Sequence, residues 1–182
     1  MRSIVLGLIA IVVASGGSTF ARATVDKQQT PKPTDPNEIT ARYLKLRLGQ
    51  SGATAAPGGR IALSVDVTPA AKIHVYAPGQ IGAIAVKLQT SADLKATPAR
   101  YPPSVSYFFA PTSETFKVYN KPFQITQDIT LANTAKMRQR AAAKDTLVIP
   151  GTLEYQACDD LVCYRPDSVA VSWKVELTPA AR

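Results

Sequence analysis

The sequence of 182 residues contains one histidine and two cysteines, and this scarcity limits the chemistry it can support. Structural zinc usually takes four cysteine or histidine ligands, so His74, Cys158 and Cys163 are too few for such a site. A glycine-rich phosphate loop, a G-x-S-x-G turn and an H-E-x-x-H motif are all missing, which argues against the enzymes they identify. A cysteine hydrolase would need His74 as its base, and no third residue is evident to orient it. We therefore predict that His74 is a solvated or hydrogen-bonded surface residue of a strand.

Long hydrophobic runs are also missing. The apolar run near the amino terminus, residues 4–14, has about eleven residues, whereas a membrane-spanning helix needs roughly 20. It follows Arg2 and precedes an A-x-A site at residues 21–23, which is the pattern of a cleavable export signal. We expect residues 1–23 to be removed, leaving a periplasmic or secreted protein without stable membrane insertion. Export would place the two cysteines in an oxidising compartment, where they can pair.

Acidic residues are the minority among the charged side chains. The formal net charge is +8, and it falls to +6 when Arg2 and Arg22 are removed with the signal. A positive balance favours acidic partners and anionic membrane surfaces. The basic residues are not interleaved with stacking aromatic residues, as a surface that binds single-stranded nucleic acid requires. We therefore predict no nucleic-acid partner.

The part of the chain that follows the signal divides into a tether and one domain. Residues 24–38 are polar and contain Pro31, Pro33 and Pro36, which is typical of a disordered linker. Residues 39–178 have the length of a single domain and show no internal repeat. We assign residues 179–182 to a short tail.

The periodicity of the domain is two rather than 3.6. Apolar residues alternate with polar or small ones at residues 61–67, and again at residues 169–177, where Trp173 lies on the apolar face. Short strands separated by proline and glycine indicate an all-β fold, an antiparallel β-sandwich. Further strand candidates are residues 43–48, 73–76, 84–88, 123–131 and 147–157.

Two segments interrupt the strand pattern. Residues 100–115 contain three prolines and a cluster of aromatic side chains, so they are too broken for a central strand and too apolar for a solvated loop. We expect this segment to fold over another part of the molecule. Residues 132–144 carry four basic residues among alanines, which predicts a short exposed helix or a loop.

Both cysteines lie in residues 155–166, between two strand candidates. Asp159 and Asp160 are turn-forming residues, so the pattern predicts a hairpin that brings the two sulfurs together. A closed loop of about six residues stabilises a fold by roughly 2 kcal/mol, against about 4.7 kcal/mol for a loop of a hundred residues. The short spacing therefore favours a redox-active pair. A structural hairpin disulfide and a soft metal site for Cu(I) remain alternatives.

Three stretches together resemble the amino-terminal domain of DsbD-type thiol:disulfide interchange proteins. They are Tyr-Gln-Ala-Cys-Asp-Asp-x-x-Cys-Tyr at residues 155–164, Lys-Ile-His-Val-Tyr-Ala-Pro-Gly at residues 72–79, and Tyr-Pro-Pro followed by Glu-Thr-Phe-Lys-Val-Tyr at residues 101–119. The resemblance covers roughly residues 39–177. It departs from the family pattern at Arg165 and Pro166, where many relatives have two prolines.

The resemblance implies an immunoglobulin-like β-sandwich with a redox hairpin and a cap loop. It implies that Cys163 forms mixed disulfides with partners and that Cys158 resolves them. The cap loop maps to the region around Phe116, and an aromatic pair beside the cysteines maps to His74 and Tyr76. The surroundings of the two cysteines would then comprise Glu114, Phe116, His74, Tyr76, Asp159, Asp160, Tyr164 and Arg165.

The resemblance also implies protein partners and no cofactor or metal. The expected partners are thioredoxin-like periplasmic proteins and a membrane electron carrier, in electron-transfer processes such as cytochrome c biogenesis. Because the sequence stops at Arg182 without a transmembrane section, we expect that carrier to be a separate polypeptide. The domain would be a thiol:disulfide oxidoreductase that acts only together with these proteins.

The charges near the cysteines predict unequal roles for the two sulfurs. Asp159 and Asp160 should disfavour the thiolate form of Cys158 by like-charge repulsion, whereas Arg165 should favour that of Cys163. We expect Tyr76 and Tyr164 to pack or hydrogen-bond rather than transfer protons, because phenols are weak bases at neutral pH.

Two questions stay open at the level of sequence. Phe116 is either a shield over the sulfurs or an ordinary residue of the sandwich core. The protein itself is either a redox relay or a non-catalytic exported interaction module with a structural hairpin disulfide, and the reduction potential separates these two functions.

Overall fold

The computed structural model describes residues 35–180 of the chain. The predicted export signal and most of the predicted linker lie outside this range. The described residues form one helix, α1 (Ala135–Ala142), and the following strands: β1 (Glu38–Thr40), β2 (Leu44–Gln50), β3 (Thr54–Ala55), β4 (Arg60–Pro69), β5 (His74–Tyr76), β6 (Ala85–Leu88), β7 (Leu94–Ala96), β8 (Val105–Phe109), β9 (Glu114–Tyr119), β10 (Phe123–Leu131), β11 (Thr146–Tyr155), β12 (Ala157–Cys158) and β13 (Asp167–Leu177).

Two sheets form the predicted immunoglobulin-like β-sandwich. One sheet has the strand order β1-β2-β4-β10-β7, and the other has the order β3-β13-β11-β6. All their strand pairs are antiparallel except β13 with β3. The apolar faces of both sheets contribute to one buried core, and the indole Nε1 of Trp173 donates to the Ser64 carbonyl of the other sheet at 3.3 Å. The all-β fold predicted from the period-two pattern is confirmed.

The alternation of the sequence explains which face of each long strand is buried. Along β4, Ile61, Leu63, Val65 and Val67 are at most 2% exposed, while the residues between them are partly exposed. Strand β13 repeats this pattern with its valines and Trp173 inside. Burying such side chains stabilises a fold by about 1.5–3 kcal/mol each, so these two strands anchor the sandwich.

A third sheet, with the order β12-β5-β9-β8, contains one strand, β5, whose three residues are all buried. Val75 and Tyr119 belong to the main core. Tyr76 and Val118, their neighbours in sequence, belong to a separate apolar cluster that contains Cys158. Because successive side chains of a strand point to opposite faces, one face of β5 closes the sandwich and the other forms the floor of a second site.

The proline-rich segment that precedes β9 supplies an edge strand. Strand β8 pairs in antiparallel fashion with β9, and Tyr107 lies opposite Phe116. Pro102 and Pro103 precede β8, and Pro111 lies in the turn before β9. This arrangement fits the expectation that the segment is not a central strand. The predicted cap region around Phe116 lies on β9, the second strand of this β-hairpin.

The helix covers one end of the main core. The Thr134 hydroxyl accepts a hydrogen bond from the Met137 amide at 3.2 Å and so caps the helix. Met137 and Ala141 are fully buried, whereas Lys136 and Arg138 are exposed. The predicted exposed helix is therefore amphipathic. Within residues 35–180, no helix has both the length and the apolar character that a membrane span requires.

Candidate redox site

Cys158 and Cys163 are joined by a disulfide across a short hairpin. The Asp159 amide donates to the Val162 carbonyl at 3.0 Å, and the Tyr164 amide donates to the Ala157 carbonyl at 2.9 Å. Strand β12 also pairs with β5, which ties the hairpin to the third sheet. Cys158 is fully buried, whereas Cys163 is partly exposed, so a reagent in solution meets Cys163 first.

The Asp159 carboxylate organises the turn of this hairpin. One of its oxygens accepts hydrogen bonds from the Leu161 and Val162 amides, both at 2.8 Å, and the other accepts one from the Tyr164 hydroxyl at 2.6 Å. The Tyr164 hydrogen bond, followed by those from the two amides, lowers the pKa of Asp159. The residue is thus an ionised turn-former, and both of its oxygens are engaged within the hairpin.

Gln156 holds the base of the hairpin. Its side-chain amide donates to the Tyr164 carbonyl at 2.9 Å, and its backbone amide donates to the Gly82 carbonyl at 3.0 Å. Gly82 has a positive φ of 74°, and a Cβ at this position would overlap the Gln156 side chain. The approach of these two segments therefore requires glycine at position 82.

The hydroxyl of Tyr76 lies 3.1 Å from the Sγ of Cys163. Because a sulfur in a disulfide carries no proton, the phenol is the donor in this contact. Burial, together with the negative charge of Glu114, raises the pKa of Tyr76. Tyr76 is therefore a protonated donor at neutral pH, in agreement with its predicted role in hydrogen bonding.

The prediction for His74 is wrong, because this residue is 3% exposed and is not on the surface. It lies directly opposite Cys158 in the pairing of β5 with β12, and its ring packs on that of Tyr107 with 4.2 Å between centroids. The Nε2 atom is buried and has no hydrogen-bond partner among residues 35–180. Burial lowers the pKa of His74, and the negative charges of Asp160 and Asp159 oppose this shift in part.

Tyr107 is a site residue that the sequence analysis did not assign. Its hydroxyl donates to the Asp160 carboxylate at 2.6 Å, and this hydrogen bond is the main cause of the raised pKa of Tyr107. The contact joins the hairpin of the disulfide to the β8–β9 hairpin. The one indication of this contact in the sequence was the expectation that the aromatic segment folds over another part of the molecule.

Phe116 lies beside the disulfide and outside the main core. Its ring centroid is 5.0 Å from that of Tyr76 and 6.5 Å from that of Phe109. Phe116 is half-buried and packs against the cluster of Tyr76, Val118 and Cys158, to which Cys163 also contributes. This position is compatible with a shield over the sulfurs, and the shielding role stays a prediction.

The remaining predicted residues lie on the rim of the site. Tyr164 stacks on Tyr43 with 4.4 Å between ring centroids, which fits its predicted packing role. Within residues 35–180, the exposed side chains of Glu114 and Arg165 make no hydrogen bond or ion pair. Leu161 and Val162, at the tip of the hairpin, are 76% and 49% exposed, so they form an exposed apolar pair next to Cys163.

The described part of the chain contains no group of three or more histidine, cysteine, aspartate or glutamate side chains that could hold a metal ion. The two sulfurs are bonded to each other, and the one histidine lies beneath them. The arrangement is suited to thiol-disulfide exchange, since it combines an accessible sulfur with a buried one.

One comparison with known proteins, the match to a family model, agrees with this chemistry. A family model described as "Thiol:disulfide interchange protein DsbD, N-terminal" matches residues 47–173. No curated protein sequence matches the chain. A crystal structure of the N-terminal periplasmic domain of ScsB from Proteus mirabilis is similar in fold, with a TM-score of 0.47 and 14% sequence identity. That match covers 78% of this chain and 51% of the ScsB chain, so this chain spans about half the length of that structure.

Proposed function

Because the chain belongs to the family of DsbD amino-terminal domains, we propose that it relays electrons between two partner proteins through Cys158 and Cys163. The observation that carries this proposal is the unequal exposure of the two bonded sulfurs. A relay needs one sulfur that partners can attack and a second one that only its neighbour can reach.

In the first half of the proposed cycle, the domain is reduced. A thiolate of the electron donor attacks the Sγ of Cys163, a mixed disulfide forms, and Cys158 leaves as a thiolate. The second thiol of the donor then attacks the donor sulfur of the mixed disulfide and releases Cys163. The donor ends as a disulfide, and the domain ends with two thiols.

In the second half, the domain passes these two electrons on. The Cys163 thiolate attacks the disulfide of the acceptor and forms a mixed disulfide with it. Cys158 then attacks the Sγ of Cys163, which restores the internal disulfide and releases the reduced acceptor. The hydrogen bond from Tyr76 to the Cys163 sulfur supports this assignment, because a phenol donor stabilises a thiolate.

The proposed partners are thioredoxin-like proteins and a membrane electron carrier, and the proposed location is the periplasm. Family membership supports the partners, and the predicted export signal at residues 1–23 supports the location. The apolar side chains of Leu161 and Val162 offer a contact surface beside Cys163. A docking protein would have to displace Phe116 to reach the sulfur from the side of β9.

Trapping tests the relay. In a Cys158→Ala variant, the mixed disulfide between Cys163 and a thioredoxin-like protein cannot be resolved internally and should accumulate on non-reducing gels. The matched control is Cys163→Ala, whose remaining cysteine is fully buried and should form far less adduct. A reduction potential above about −300 mV is expected for the wild-type disulfide. A lower potential, without a trapped adduct, would instead favour a non-catalytic interaction module with a structural disulfide.

A further inference from the structure

His74 is a buried polar residue, and one of its ring nitrogens makes no hydrogen bond within residues 35–180. It faces Cys158 across paired strands, a geometry that brings the two Cβ atoms to about 4.5–5.5 Å on one face of the sheet. The stack on Tyr107 holds the ring in place. A buried nitrogen without a hydrogen-bond partner costs about 1–3 kcal/mol, and the Nε2 of His74 lacks one among residues 35–180.

The proposed relay contains one step that requires a base at this place. When Cys158 resolves a mixed disulfide, its thiol must lose a proton, because the thiolate is the nucleophile. Cys158 is 0% exposed, so water does not reach it readily, and the apolar cluster around it disfavours the charged form. The step therefore needs a proton acceptor that belongs to the protein.

The other titratable groups of the site are either engaged in hydrogen bonds or, like Glu114, exposed on the rim. The Tyr76 hydroxyl contacts Cys163, and the Tyr107 hydroxyl donates to Asp160. Asp159 accepts hydrogen bonds from the turn amides and from Tyr164. His74 lies opposite Cys158 in the strand pairing and has a buried Nε2 without a hydrogen-bond partner among residues 35–180.

We propose that His74 is the proton acceptor for the Cys158 thiol when the internal disulfide closes, an inference that rests on the redox relay proposed above. The imidazole takes the thiol proton, the Cys158 thiolate attacks the Sγ of Cys163, and the partner leaves as a thiolate. In the reducing direction, the imidazolium returns this proton to the departing Cys158 sulfur. Protons and electrons balance, and no further reactant is required.

The electrostatic surroundings of His74 suit this role. Burial lowers its pKa, so the imidazole is neutral and able to accept a proton near pH 7. The groups that face it are Cys158 on β12, Asp159 and Asp160 in the hairpin, and Tyr107 on β8. The two carboxylates stabilise the imidazolium that forms, because opposite charges attract strongly in a partly buried site.

A single-turnover reaction with dithiobis(nitrobenzoate) tests the proposal. One equivalent of this disulfide, added to the reduced protein, releases a first coloured thiolate when Cys163 attacks and a second when Cys158 resolves the adduct. In His74→Gln, the first release should keep its rate, and the second should slow about a hundredfold at pH 7, the typical effect of losing a general base. The difference from wild type should shrink towards pH 10, where the thiol ionises without a base.

Controls separate a chemical role from a structural one. In His74→Phe, which keeps a ring against Tyr107, the second release should be equally slow. Gln127→Leu removes a partly exposed side chain of β10 whose buried Oε1 also lacks a hydrogen-bond partner among residues 35–180, and it should leave both releases unchanged. If the second release in folded His74→Gln and His74→Phe equals the wild-type rate, His74 is not the proton acceptor. Failure of the relay itself would appear differently, because a wild-type protein that is not a relay still releases the coloured thiolates but gives no trapped partner.

Discussion

The hydroxyl of Tyr76 donates a hydrogen bond to the Sγ of Cys163 over 3.1 Å, and the same ring packs on Phe116. The proposed cap residue and the sulfur that is proposed to exchange with partners therefore contact the same side chain. A partner that displaces the Phe116 ring also uncovers the atom that the phenol contacts. Shielding and activation of Cys163 can thus be separated only by changing these two aromatic residues one at a time.

Removing the phenol hydroxyl should make Cys163 less reactive. A hydrogen bond to a charged group contributes about 1.5 kcal/mol, which corresponds to roughly a tenfold change in the population of the thiolate. We expect iodoacetamide to alkylate Cys163 about tenfold more slowly in reduced Tyr76→Phe near neutral pH, as measured by mass spectrometry. Tyr119→Phe, which changes a tyrosine of the main core, is the control and should keep the wild-type rate.

Removing the Phe116 ring should expose the disulfide to small reagents. An aromatic pair such as Phe116 with Tyr76 contributes about 1 kcal/mol, so its loss should increase the population of the uncovered state about fivefold. We expect dithiothreitol to reduce Phe116→Ala about five times faster than wild type in stopped-flow measurements. Phe108→Ala lies on the neighbouring strand with its ring 61% exposed, and it serves as the control. Equal rates for both variants would remove the shielding role.

The free energy of unfolding should fall when a cavity is made in the sandwich core. It should change little when an exposed side chain of the same strand is shortened. Leu153 on β11 is fully buried, and a leucine-to-alanine change at such a site costs about 2–5 kcal/mol. We expect urea unfolding of Leu153→Ala to show a loss of about 3 kcal/mol. Val148→Ala on the same strand removes a side chain that is 49% exposed, and it should change the free energy of unfolding by about 0.5 kcal/mol or less.

The ion pair of Arg100 and Asp128 should make stability depend on pH in the acid range. Arg100 binds both carboxylate oxygens, at 2.9 and 3.2 Å, and its hydrogen bond lowers the pKa of Asp128. A lowered carboxylate pKa adds stability above the unfolded-state pKa, and this stability is lost as the pH falls through the folded-state pKa. Arg100→Gln should therefore melt a few degrees below wild type at pH 7.

The two melting temperatures should converge as the pH falls through the lowered folded-state pKa of Asp128, because Asp128 is then protonated in both proteins. Scanning calorimetry from pH 2 to 7 measures this. The control is Lys87→Gln, which removes the more exposed ion pair with Glu154 and should have a smaller effect at every pH. A constant difference between Arg100→Gln and wild type down to pH 2 would contradict the electrostatic explanation.

The long strands could be predicted from sequence because each has one buried and one open face. Apolar residues at every second position of β4 and β13 correspond to the side chains of the main core. Because the apolar positions of the alternating pattern are the buried ones, the pattern predicts both that the segment is a strand and which of its faces is buried.

The burial of His74 could not be predicted from sequence in this way. All three residues of β5 are buried, because each face of this strand packs against a different cluster, so the sequence shows no alternation. From the sequence pattern, a histidine in such a strand cannot be distinguished from one on the solvent-exposed face of a strand. Its environment depends on β12, which pairs with β5 from more than eighty residues away in the sequence.

The contact of Tyr107 with Asp160 escaped prediction for a related reason. The two residues are separated by 53 positions, and they meet because β8 folds back along β9 over the hairpin of the disulfide. Composition showed that the aromatic segment needed a surface to cover. The surface itself is defined only by the tertiary packing.

Strand β5 makes the redox chemistry and the choice of strand register interdependent. A slip of one residue in its pairing with β12 would turn Val75 towards the sulfurs, and would turn His74 and Tyr76 into the main core. Such a slip would bury an imidazole and a phenol among aliphatic side chains. The cost of burying those polar groups selects the native register, so the residues proposed to serve catalysis also help the chain to reject a misfolded alternative.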